Sequence, residues 1–277
     1  MPLTHGSPTV ERMDHDGHGH APHEHGHHQQ DQHAHDPLDD HQQVLDLDAE
    51  LFGRQLDAVL DLLGPPAPQR IVDLGAGTGT GSRLLRDRFP GARVTAVDHD
   101  PAMLHRLREQ GFTAVDADLG AGFPDVGPVD LVWAALSLHH VPGPARLLEG
   151  ARAALTPGGR LVVVELDGLP QVLGTPLEER LHAAAAADGW NRYPEWTPVL
   201  EAAGFAVTRS SLVLEPPASP AALRYAQLWL PRFLTLAGLD PADRTALAAL
   251  LERPAELAVT LRATRTVWLA EIQEDPR

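Results

Sequence analysis

Between Arg70 and Glu165, five short apolar runs alternate with stretches of helical spacing, and that alternation leaves few folds open. Strands are predicted at Arg70–Leu74, Arg93–Asp98, Thr113–Asp116, Val129–Ala134 and Gly159–Glu165. Helices are predicted at Gly79–Arg88, Pro101–Gln110 and Gly143–Ala154. A chain patterned in this way calls for an α/β fold with a doubly wound, mostly parallel sheet covered by helices on both faces. Ligands of such sheets lie in the crevice at the carboxyl ends of the strands.

The flanking segments extend the plan. Upstream, Val44, Leu45, Leu47, Leu51, Phe52, Leu56, Val59, Leu60 and Leu63 recur at helical spacing until "GPPAP" stops them. Downstream, Pro176–Asp188 and "PEWTPVLEAAG" read as helices, and "FAVTRSSLVLE" as a strand. A helical block from Pro220 to about Glu252 precedes a long final strand, "LAVTLRATRTVWLAEI". The two late strands should pair antiparallel at one end of a seven-stranded sheet. Residues 220–255 would then form a lid over the crevice, within one domain spanning residues 42–277. Trp190, Tyr193 and Trp196, with Tyr225, Trp229 and Phe233, make that region aromatic. They suit either an apolar acceptor or the packing of the insertion on the sheet.

Composition removes several chemistries. A net charge of −16 argues against a nucleic-acid backbone or an anionic membrane as the main partner. No apolar run reaches the roughly 18 to 20 residues of a membrane span, and the polar N-terminus is unlike a signal peptide, so a cytoplasmic protein is expected. The chain has no cysteine, which excludes disulfides and thiolate metal sites. It also has no lysine, which excludes Schiff-base chemistry.

Residues 1–41 are of low complexity, as in "HDGHGHAPHEHGHHQQDQHAHD", and hold eleven of the sixteen histidines. So few apolar residues cannot offset the entropy of ordering, and disorder is expected. Imidazoles in such a tail would bind nickel, zinc or copper loosely, without defined geometry. Beyond the tail there is no H-E-x-x-H spacing, and no catalytic metal is expected.

The first predicted strand runs into "IVDLGAGTGTGS", in which Gly75, Gly77, Gly79 and Gly81 alternate. Glycine between a strand and a helix permits unusual backbone angles and lets a ligand approach the main chain. Asp98, at the end of the second strand, is placed to accept hydrogen bonds from ribose hydroxyls. A dinucleotide fingerprint would need its third glycine where Thr80 stands. That mismatch weighs against a nicotinamide-dependent oxidoreductase.

Taken in order, "VDLGAGTGTGS", "VTAVDHDPAML", "VDAD", "VDLVWAALSLHHV" and "LTPGGRLVVVE" closely resemble the class I S-adenosylmethionine-dependent methyltransferases over Ile71–Glu165. The resemblance implies S-adenosylmethionine as cofactor and a small-molecule acceptor. It places Asp73 at the methionine amino group and Gly75, Ala76, Gly77 and Gly79 in the loop against the cofactor. Asp98 would take both ribose hydroxyls, with His99 and Met103 flanking the adenine. Asp116 is the first choice for the adenine amino group, Ala117 adds a backbone contact, and Asp118 is the alternative. Trp133 would border the methionine arm.

His139, His140 and Glu165 face the crevice as candidate bases, although the His-His-Val stretch also serves packing or loop structure in the family. For Arg262 and Arg265 on the last strand, a solvated face or a structural ion pair is favoured over substrate binding. A non-enzymatic metal-binding protein on the same scaffold is the remaining rival. The intact Asp98 and loop glycines count against it.

Overall fold

The computed structural model, which describes residues 37–190 and 195–273, realises the alternation as one sheet. Its strands are β1 (Arg70–Leu74), β2 (Arg93–Asp98), β3 (Thr113–Asp116), β4 (Val129–Ala135), β5 (Leu155–Leu166), β6 (Phe205–Leu214) and β7 (Ala263–Ile272). Their order is β3-β2-β1-β4-β5-β7-β6. The first five pair in parallel, whereas β7 runs antiparallel to both β5 and β6. The order reverses between β1 and β4, the position at which such sheets open a crevice.

Helices α3 (Thr80–Arg88), α4 (Pro101–Glu109) and α5 (Ala145–Ala154) connect the parallel strands. Upstream lie α1 (Pro37–Phe52) and the single turn α2 (Asp57–Leu60). Downstream come α6 (Pro176–Ala187), α7 (Thr197–Ala202), α8 (Pro220–Trp229) and α9 (Pro241–Leu251). Four of these helices start on a cap followed by proline. Asp100, Thr175, Ser219 and Asp240 each accept a backbone N–H of the first turn, directly before Pro101, Pro176, Pro220 and Pro241. The cap satisfies an orphan donor, and proline at the first helical position has no N–H to lose.

Three expected boundaries move, each for a local reason. The upstream helix breaks at Gly53 into a 3-10 turn, where a Cβ would come within 3.1 Å of Thr80 Cγ2. β5 starts at Leu155 rather than Gly159, because "TPGG" is an excursion within the strand. Val129 pairs with Leu155, but Leu131 already pairs with Arg160. The final strand starts only at Ala263, with one isolated bridge, Gln171 to Arg262, before it. Residues 1–36 of the expected tail and Tyr193 lie outside the described residues, and residues 37–41, expected in the tail, belong to α1.

The core divides around the sheet. One face buries Val72, Leu74, Val132, Leu161, Val163 and Trp268, and the other buries Ile71, Leu131, Trp133, Val162, Val164 and Val267. A third cluster joins α1 to α6, α8 and α9 through Phe52, Leu181, Tyr225, Phe233 and Leu247. There Phe52 meets Tyr225 edge-on at 6.1 Å, while Trp190 stacks on Phe233 at 5.6 Å. Trp196 packs separately, beside Leu200 and Phe205. These aromatic residues are therefore packing residues of the insertion and its neighbours.

Glu178 at the start of α6 is the buried polar anchor of that region. Its carboxylate accepts the N–H groups of Val172, Leu173 and Gly174 at 2.6, 3.0 and 2.8 Å. Replacing it with alanine leaves three donors without that acceptor. Each hydrogen bond to a charged group is worth about 1.5–3 kcal/mol, so Glu178→Ala is expected to lower unfolding stability by at least about 3 kcal/mol. Chemical denaturation checks this; a loss below about 1 kcal/mol would mean that water replaces the carboxylate freely.

Candidate active site

A cavity of about 420 Å³ opens at the carboxyl edge of the sheet. That volume lies within the range of small-molecule sites. The loop after β1, the turns after β2 and β3, and the segment after β4 form its floor and sides. Helix α1 forms its cover through Leu45, Asp48, Ala49 and Phe52. No residue of 220–255 is among those lining it. The insertion instead packs against α1 and so reaches the cavity only at one remove.

The β1 loop has little freedom to be anything else. Gly75 has φ +66°, and a Cβ there would fall 2.5 Å from Ser137 Cβ. Ser137 is held in place by its own Oγ, which donates to the Leu74 carbonyl at 2.8 Å. Immediately before it, Leu136 has φ +56°, a conformation non-glycine residues adopt at a cost of about 1–3 kcal/mol. Leu136 lines the cavity, and its N–H donates to the Val164 carbonyl at 2.8 Å.

Asp98 joins this loop to the next strand. Oδ2 accepts the Gly77 N–H at 2.8 Å, and Oδ1 accepts the N–H groups of His99 and Asp100 at 2.8 and 2.9 Å. Three of the carboxylate's roughly four acceptor sites are thus taken, which leaves one, on Oδ2, for a ligand hydroxyl. At the β3 end, Asp116 is exposed and does not line the cavity. Beyond it, the Ala117 N–H donates to the Asp98 carbonyl at 3.0 Å and turns the chain inward. That turn brings Ala117 and Asp118 into the wall. Asp118, whose Oδ1 accepts the Gly120 N–H at 2.8 Å, is thus the one of the two acids that lines the cavity.

Of the other expected cofactor contacts, Gly75, Ala76, Gly77, Asp98 and His99 line the cavity, and Gly79, Met103 and Trp133 do not. Gly79 caps α3 in the left-handed region. Met103 is half-buried on α4. Trp133 is fully buried under α3, beside the position a Cβ on Gly81 would occupy at 3.0 Å.

Asp73 also lies beneath the loop rather than on the cavity. It is 2 % exposed and accepts a hydrogen bond from Ser82 Oγ at 2.6 Å. Burial pushes its carboxyl from 3.8 up to about 6, with the Ser82 bond opposing and the Asp98 charge adding. Its visible role is to fasten the start of α3 to the end of β1.

His140 is in the cavity wall, but His139 and Glu165 are behind it. His139 Nδ1 lies 2.7 Å from Glu165 Oε2, and its backbone N–H donates to Oε1 at 3.3 Å. Glu165 is 1 % exposed on β5 and so fixes the turn that carries both histidines. The two rings lie 3.9 Å apart. Arg262 is half exposed, 3.4 Å from Glu215, as a solvated strand face requires. Arg265 is 1 % exposed, pairs with Asp48 at 3.0 Å and lies in the cavity wall.

Among the described residues, no group of three or more histidine, aspartate or glutamate side chains could hold a metal ion. Among them, no helix is long and apolar enough to cross a membrane.

Residues 72–161 match a family described as a methyltransferase domain. The chain is 38% identical over 127 residues to the trans-aconitate 2-methyltransferase of Acidovorax sp. (strain JS42), covering 45% of this chain and 47% of that one. It is 34% identical over 177 residues to the enzyme of that name from Mycobacterium sp. (strain KMS), covering 63% of each chain. The matched segment thus spans about half the length of the first of these relatives. Among solved structures, one from Anabaena variabilis, described as a methyltransferase of an antibiotic biosynthesis pathway, superposes with a TM-score of 0.51 at 20% identity, covering 77% of this chain and 96% of that one. YcgJ of Bacillus subtilis gives 0.50 at 16%, covering 80% and 99%. These two likenesses concern the fold.

The buried Asp73 carboxyl has a measurable consequence. A native pKa near 6 against 3.8 means that the folded protein holds the proton more tightly. Its penalty is absent below about pH 4, grows as the pH rises and is complete above about 6, reaching about 3 kcal/mol. Asp73→Asn keeps an acceptor for Ser82 without the charge. Its melting temperature relative to wild type should therefore climb between pH 4 and 7. A difference that stays flat would show that the carboxylate is charged without penalty.

Proposed function

We propose that this chain is a class I S-adenosylmethionine-dependent methyltransferase that transfers a methyl group to a small organic acid, a reading supported by the methyltransferase-domain match over residues 72–161. The observation that carries this is Asp98. A buried carboxylate, fixed by three backbone N–H groups, presents its remaining lone pair, on Oδ2, to a cavity beside the glycine-rich loop after β1. Such a carboxylate suits a ribose hydroxyl, whose bond to the anion is charge-assisted. Asp118, one strand further out, offers an acceptor for an exocyclic amino group.

S-adenosylmethionine supplies an electrophilic methyl group on a sulfonium. The chain's own part is to bind, orient and exclude water, which is where most of the advantage of an in-line displacement arises. Gly75 and Gly77 let the backbone approach the cofactor, and Leu136, Ser137 and His140 flank the route toward β4. Helix α1 closes the top with Leu45, Ala49 and Phe52. A carboxylate acceptor needs no base. The Glu165–His139 contact then acts on position, holding the turn that presents His140.

An organic acid as acceptor is supported by the relatives, which are named trans-aconitate 2-methyltransferases. Trans-aconitate is accordingly the first acceptor to test.

Two measurements test the reading on the full chain. S-adenosylhomocysteine at about 100 times its dissociation constant should stabilise the protein by roughly 2.7 kcal/mol, whereas NAD should leave the melt unchanged. Asp98→Ala removes charge-assisted contacts worth about 1.5–3 kcal/mol, so S-adenosylhomocysteine should bind about 10- to 100-fold more weakly. Stabilisation by NAD instead, or unaltered S-adenosylhomocysteine binding by Asp98→Ala, would overturn the assignment.

A further inference from the structure

The cavity has a second polar feature, at the opposite end from Asp98 and Asp118. Arg265 stands at the start of β7, paired with Leu166 on β5 and Leu212 on β6. Its side chain is on the sheet face that carries Val164 and Val267, under α1. Along the carboxyl edge, β2 and β7 are separated by β1, β4 and β5. At about 4.8 Å per strand spacing, that is about 19 Å across the sheet. Arg265 therefore lies past the end of the cofactor half, where an acceptor has to enter.

Its surroundings are those of a binding group rather than of a completed ion pair. Arg265 Nη2 donates to Asp48 Oδ1 at 3.0 Å and to Oδ2 at 3.4 Å, and the guanidinium carbon lies 5.2 Å from the centre of the Phe52 ring. Nη1 is buried and has no hydrogen-bond partner among the described residues. An unsatisfied buried donor costs about 1–3 kcal/mol, and more when charged. Stability alone gives no reason to retain it in a cavity wall. The nearby lining is apolar, with Leu45, Ala49, Phe52 and Leu136.

The geometry points to Arg265 as the anchor for a carboxylate of the acceptor, with Asp48 holding the guanidinium in place and Phe52 covering its face. The ligand class is a small acid with an apolar body, its carboxylate taken by Nη1. This rests on the reading of the cavity as a methyltransferase site only for the word acceptor; the anion site itself stands on Arg265. Burial pushes the Asp48 carboxyl up from its usual value, against the pull of Arg265. The partner acid thus holds its charge less firmly than a surface aspartate would.

The test uses cinnamate and its neutral analogue cinnamamide as probes, titrated by calorimetry into the full chain saturated with S-adenosylhomocysteine. Wild type should bind cinnamate at least about tenfold more tightly than cinnamamide, the value of one charge-assisted bond. Arg265→Met should erase that preference while S-adenosylhomocysteine affinity holds. Asp48→Asn should sharpen it, because the competing anion is gone. A purely structural ion pair predicts the contrary for Asp48→Asn, namely lost stability and no gain for the anion.

Equal binding of the two probes to wild type, no binding of either, or an unchanged preference in Asp48→Asn would overturn the proposal. If Arg265→Met does not fold, Asp48→Asn decides. If S-adenosylhomocysteine itself does not bind, the cofactor reading fails. The preference of the ligand-free chain for cinnamate then still reports on Arg265.

Discussion

Asp98 ties the site together. Its carboxylate accepts one N–H from the loop after β1 and two from the turn after β2, so two adjacent crossover connections share one anion. The Ala117 N–H bonded to the Asp98 carbonyl adds the turn after β3 to the same post. A cavity at a sheet edge is otherwise built from loops, the parts of a fold with the most freedom. Here three of them are fastened at one residue before any ligand binds. A preformed site of this kind loses less on binding than one that must order its loops around the ligand.

A second set of buried polar contacts braces these loops through bonds within the chain. Asp73 secures α3 through Ser82, Ser137 secures the β4 turn to Leu74, and Glu165 secures the histidine turn. Acidic and hydroxyl side chains in such motifs are easily read as ligand contacts. In three of these positions they are bonded instead to the chain itself. The strain at Leu136 belongs to the same arrangement: β4 must turn sharply over Gly75, and the Leu136 and Ser137 bonds on either side hold it there.

Much of this was legible in the sequence, and the exceptions have a common cause. Local patterns located all seven strands, because an apolar run between turn residues is a local property. They also located Asp98 and the β1 glycines, which act through their own backbone. Which of Asp116 and Asp118 lines the cavity was not local: it depends on the Ala117 N–H reaching back to β2. The roles of Asp73 and Trp133 depend on which side of the loop α3 covers, which no spacing records. One signal was available and unused. Asp48 lies four residues after Val44 and four before Phe52, so a carboxylate stands on the apolar face of α1. An acid in such a stripe needs a cation from another element, and Arg265 is that cation.

That pairing also changes what covers the site. The aromatic residues of this region suggested a lid made by the insertion, yet Trp190, Tyr225, Trp229 and Phe233 pack on one another and on Phe52 of α1. The surface that meets the cavity belongs to α1, whose Phe52 touches Tyr225 of α8 on one side and the Arg265 guanidinium on the other. Any shift of the insertion must reach the acceptor end through that ring. Because packed interiors transmit displacement rather than absorb it, the residues that set acceptor preference need not line the cavity. Substitutions at Tyr225 or Phe233 would act on the same guanidinium that Asp48 positions, by moving the helix that carries both Asp48 and Phe52.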